Sequence, residues 1–91
     1  MEIYSQVVNQ IINSQKTIIG PIAVDQAKKV TGIKIMDENK IQLAGDGKKI
    51  LEELVKQYAN IFGQASVEVC KDAVKEIHPP VPAEYLPQIL V

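Results

Sequence analysis

The stretch Val7–Lys28, VVNQIINSQKTIIGPIAVDQAK, decides the fold, because it recurs as Ile50–Lys71, ILEELVKQYANIFGQASVEVCK. The two copies are 43 residues apart, from Gly20 to Gly63, and most apolar positions coincide at that offset. Charged residues coincide after the glycine as well. Similarity at a fixed spacing is typical of repeated supersecondary units. An alternative is that any two amphipathic helices ending at a glycine would align in this way.

Each copy has the pattern of a helix, a glycine break and a second helix. Apolar residues spaced by three, four and seven predict amphipathic helices over about Glu2–Ile19 and Lys48–Phe62. Gly20 and Gly63 are the expected structural hinges, and Pro21 suits the first turn of a new helix. The second helix of each copy is predicted over residues 21–30 and 64–77. In the third helix the predicted inward stripe continues through its last residues, Ile61 and Phe62.

Between the copies, the apolar period changes from 3.6 to 2. Ile33 and Ile35, and then Ile41 and Leu43, alternate with polar or longer side chains around a turn at residues 37–39. This pattern predicts a β-hairpin over residues 33–43 with one apolar face. A two-stranded hairpin alone is marginally stable in water, so it must pack on the helices or pair with a second copy of the chain.

The sequence predicts one helical domain at residues 1–77 and a proline-rich tail at residues 78–91. Asp46 is the expected N-cap of the third helix. The prolines after His78 exclude a continuing helix. The last residues of the tail are apolar, whereas loose tails are normally polar, so we expect the tail to dock on its own domain or on a partner. The predicted fold class is α+β and mostly α, with two helix–Gly–helix units joined by the hairpin.

Composition excludes several classes of function. The chain has 91 residues and a net charge of −1, and all ten of its basic residues are lysines, interleaved with acids. A nucleic-acid interface would favour arginine and a one-sign surface, so we expect none. No apolar run approaches the ~20 residues of a membrane span. Met1 is followed by Glu2 with no signal-peptide pattern, so a cytoplasmic location is expected.

The sequence offers few groups for catalysis. Cys70 and His78 are the only thiol–imidazole pair, but Cys70 is on an apolar stripe opposite Ala27 and is interpreted as a small core residue. The segment Ala44–Lys49 precedes a helix without the phosphate-loop spacing, and is interpreted as a turn with a cap. The acids lack a calcium-loop pattern. We therefore expect no catalytic, cofactor or metal site, and no enzyme.

The segment Ile19-Gly20-Pro21-Ile22-Ala23 resembles the G-P-I-A break of small helical domains found beside kinases and response regulators in bacterial, especially cyanobacterial, signalling proteins. The likeness covers residues 17–31 and the general helix order, although a hairpin is not expected in those domains. It implies a non-catalytic interaction module.

The leading hypothesis is a self-associating interaction or signalling-accessory protein, most simply a homodimer, because the core and the hairpin look unfinished in one copy. The residues expected to carry the contacts are Ile33, Ile35, Ile41 and Leu43 of the hairpin, or Tyr85, Leu86, Ile89 and Leu90 of the tail. The alternative is a sensor that binds an apolar small molecule or lipid between the two helical units.

Overall fold

The computed structural model describes residues 3–37 and 40–91 of the chain. Within them the fold is α+β and mostly helical, as predicted. The elements in chain order are α1 (Ile3–Ile19), α2 (Ile22–Lys28), β1 (Ile33–Asp37), β2 (Lys40–Leu43), α3 (Gly47–Phe62), α4 (Gln64–Lys75) and two short 3-10 helices, Ala83–Tyr85 and Gln88–Leu90. We call α1 with α2 the first unit, and α3 with α4 the second unit.

The two units bury equivalent positions, which supports the repeat. The 43-residue offset pairs each position of the first unit with one of the second. In eight of these pairs both residues are buried. These pairs are Val7/Ile50, Val8/Leu51, Ile11/Leu54, Ile12/Val55, Gln15/Tyr58, Ala23/Ser66, Ala27/Cys70 and Val30/Ala73. Two unrelated amphipathic helices need not bury matching positions after the glycine break, yet α2 and α4 do so. The two units therefore contribute equivalent helix faces to the core.

The glycine breaks are also equivalent. Gly20 has φ +77° and Gly63 has φ +78°, values that L-residues with a Cβ rarely adopt. Each glycine amide donates to the carbonyl four residues earlier, at 2.9 Å to Lys16 and 2.8 Å to Ala59. The chain therefore ends both long helices in the same way, whereas α4 starts directly after its glycine and α2 starts one residue later, after Pro21.

A reciprocal pair of buried hydrogen bonds joins the units. The Tyr58 hydroxyl on α3 donates to the carbonyl oxygen of Ala23 on α2, at 2.7 Å. The Gln15 Nε2 on α1 donates to the carbonyl oxygen of Ser66 on α4, at 3.1 Å. Gln15 is superposed on Tyr58, and Ala23 on Ser66, so the second bond is the symmetry equivalent of the first. The units are thus related by a pseudo-two-fold, with the long helix of each bonded to the short helix of the other.

The hairpin packs on the first unit. Its antiparallel register pairs Ile33 with Leu43 and Ile35 with Ile41, and these four side chains are half-buried against the core. The register shifts between Ile35 and Asp37, as in a β-bulge. The predicted apolar face of the hairpin is confirmed. The turn predicted at residues 37–39 lies partly outside the described residues.

The tail docks on its own domain. Its second 3-10 helix packs on α3 and α4, and Leu86 and Leu90 are buried in the core. Tyr85 meets Tyr4 edge to face, with ring centroids 6.1 Å apart. Each unit is therefore followed by a segment that folds back onto its own helix pair: the hairpin after α2, and the tail after α4.

Three expectations need correction. Helices α2 and α4 end two residues earlier than predicted, each closing in a tighter turn in which amides bond three residues back, such as Val30 to Ala27 and Ile77 to Val74. Ile61 and Phe62 do not join the core, since 45% and 36% of their surfaces are exposed. The fully buried stripe of α3 ends at Tyr58, whose hydroxyl contacts α2 at Ala23.

We predict that Tyr58→Phe lowers the free energy of unfolding by about 1–2 kcal/mol, because a buried hydrogen bond to the Ala23 carbonyl is lost while the ring remains. Tyr85→Phe is the matched control, since that residue is partly exposed and the Tyr85 ring contact survives. Urea denaturation measures both. Equal small effects would mean that the Tyr58 bond does not hold the units together.

We further predict that Gly20→Val destabilises the protein by about 2 kcal/mol or more, because a β-branched residue is strained at positive φ. Apart from the adjoining residues, no atom lies within 4 Å of a Cβ added at Gly20, so the cost comes from the backbone conformation. Lys40→Val, at an exposed strand position, should change stability by at most about 0.5 kcal/mol. Similar midpoints in thermal denaturation for the two variants would contradict a left-handed break.

Candidate functional site

The one cysteine is a structural residue. Cys70 is fully buried, and Gln15 Nε2 donates to its Sγ at 3.5 Å. Burial raises the pKa of the Cys70 thiol to about 11, and the Gln15 bond only partly offsets this. His78 is exposed beyond the end of α4. A thiol kept protonated and closed to solvent is a poor nucleophile, so these two residues do not form a reactive pair.

The same interior also holds Tyr58 in its neutral form. Burial, and to a smaller extent the neighbouring Cys70, raises the Tyr58 pKa far above its usual value. Tyr58, Gln15 and Cys70 thus form a small polar cluster inside an aliphatic core. The three side chains are fully buried, and the hydrogen bonds of Tyr58 and Gln15 join the two units, so the cluster is closed to solvent.

The loop before α3 is a helix cap, as predicted. The Asp46 carboxylate accepts from the amides of Lys48 at 3.0 Å and Lys49 at 3.4 Å. Those amides would be the ones to hold an anion, and Asp46 already occupies them. No group of three or more His, Cys, Asp or Glu side chains within residues 3–37 and 40–91 could hold a metal ion.

The first candidate site is at the end of the molecule where both glycine breaks lie. The reciprocal bonds place the end of α1 beside the start of α4, and the end of α3 beside the start of α2, so both breaks share one end. Four large apolar side chains are exposed there. They are Ile18 (61%), Ile61 (45%), Ile22 (39%) and Phe62 (36%), which we call the glycine-end surface.

The two chain segments that form the glycine-end surface carry no charge, and its side chain Ile18 also borders a surface depression that contains Asp72 and Glu76 of α4. No charged residue occurs in Thr17–Val24 or in Asn60–Val67, the segments that span the two breaks. Ile18 and Ile61 are superposed by the repeat, so both units contribute the same kind of side chain. Exposed apolar groups brought together from two units are typical of a surface that contacts another protein.

The second candidate site is a groove of about 450 Å³ on the first unit, between α1, α2 and the hairpin. Its apolar wall comes from Ile12, Val24, Ile35 and Ile41. Its polar edge is formed by Asn13, Lys16, Asp25 and Lys28. The groove faces solvent beside the hairpin, whereas the space between the two units is filled by buried side chains such as Leu51 and Leu54.

The eight residues expected to make contacts are divided between surface and core. Leu86 and Leu90 are buried within the chain, and Tyr85 and Ile89 remain partly accessible. Two of the hairpin residues, Ile35 and Ile41, line the groove. The glycine-end surface was missed, because the amphipathic pattern assigned Ile61 and Phe62 to the core. The absence of charge on both sides of both glycines was the signal that could have identified it.

Comparison with protein-family models, with curated proteins and with solved structures gives no match to this chain. The likeness of Gly20-Pro21-Ile22-Ala23 to the break of bacterial signalling domains stays a prediction. No helix within residues 3–37 and 40–91 is long and apolar enough to cross a membrane.

We predict that Cys70 resists alkylation in the native state, because the thiolate is the reactive form and burial keeps the thiol protonated. At pH 8 iodoacetamide should label the folded protein at least 100-fold more slowly than the protein in 8 M urea, as read by mass spectrometry. Rapid native labelling would contradict the structural role assigned to Cys70.

Proposed function

We propose that this chain is a non-enzymatic, cytoplasmic interaction module that associates with a second copy of itself through the glycine-end surface. The observation that carries the proposal is a set of four exposed apolar side chains near the glycine breaks, contributed by both units from two chain segments without charge. The chain's own core does not use these side chains, although Gln15, Ala23 and Tyr58 in the same helices are fully buried.

A second copy suits this surface better than a charged partner would. A patch with charge of one sign would repel its own copy, and Thr17–Val24 and Asn60–Val67 carry no charge. A two-fold homodimer uses the same patch on both subunits. The pseudo-two-fold axis relates Ile18 of the first unit to Ile61 of the second. A second copy of the chain would therefore meet an isoleucine from whichever unit it faces.

A signalling-accessory role is consistent with this proposal. The buried, protonated Cys70 and the self-capped loop at Asp46 are the candidates for chemistry that the sequence offered, and their structural roles support association without catalysis. The G-P-I-A likeness centres on Gly20–Ala23, the segment that forms half of the glycine-end surface. The alternative function, a sensor of an apolar ligand, would need a site other than the filled space between the units.

We predict that Ile61→Lys weakens self-association by roughly 30-fold or more, because a charge would have to be buried in an apolar contact at a cost of about 2 kcal/mol. Ile18→Lys, at the superposed position, should act in the same direction. Sedimentation velocity over micromolar to millimolar concentrations measures the dimer dissociation constant.

Met36→Lys is the matched control, because Met36 is as exposed as Ile18, at 61%, but is in the hairpin. Its dissociation constant should equal that of the unmodified chain. Dissociation by Met36→Lys or Ile35→Asp alone would place association at the hairpin and contradict the glycine-end surface. A strict monomer at every concentration would remove the self-association proposal entirely.

A further inference from the structure

We draw no further inference here: the strongest candidate, the groove of about 450 Å³ between α1, α2 and the hairpin, carries nothing, because nothing in the structure shows what covers it.

Discussion

The reciprocal hydrogen bonds of Tyr58 and Gln15 are the interaction on which the rest of the structure depends. Each reaches from the long helix of one unit to a backbone carbonyl near the start of the short helix of the other, at Ala23 and Ser66. Buried donors must be satisfied, and a carbonyl already engaged in its own helix has a second lone pair to accept them. Because a shift of one unit against the other would break both bonds and leave buried donors without acceptors, this requirement restricts how the units meet.

That fixed arrangement explains why one end of the molecule is apolar. With both long helices bonded to the first turns of the short helices, the breaks at Gly20 and Gly63 come to the same end. Residues in the last turn before each break then extend past the partner helix and stay exposed, as Ile18 and Ile61 do. The groove has another origin, because it depends on a difference between the units. The first unit is followed by the hairpin, which borders the groove, and the second unit is followed by the tail.

Most of the fold could be predicted from the sequence because it depends on local patterns. The hairpin face of Ile33 and Ile35, the Asp46 cap and the glycine breaks follow from periodicity and from residue chemistry. The exposure of Phe62 could not be predicted, because a helical stripe records which residues share a face and not where the partner helix ends. The reciprocal bonds escaped prediction because the repeat uses different donors, an amide in Gln15 and a phenol in Tyr58. The groove depends on the spacing between elements, which no local pattern encodes.

The central claim is that a doubled helix–glycine–helix unit presents an end surface at which two copies of the chain meet. The most direct test is intermolecular paramagnetic relaxation in an equal mixture of isotope-labelled chain and unlabelled chain carrying a nitroxide at Asn60→Cys, in a Cys70→Ala background. The account predicts that amide signals of Thr17–Val24 and Asn60–Val67 broaden, while those of the hairpin and tail do not. Broadening confined to residues 33–43 or 83–91, or no broadening at millimolar concentration, would contradict it.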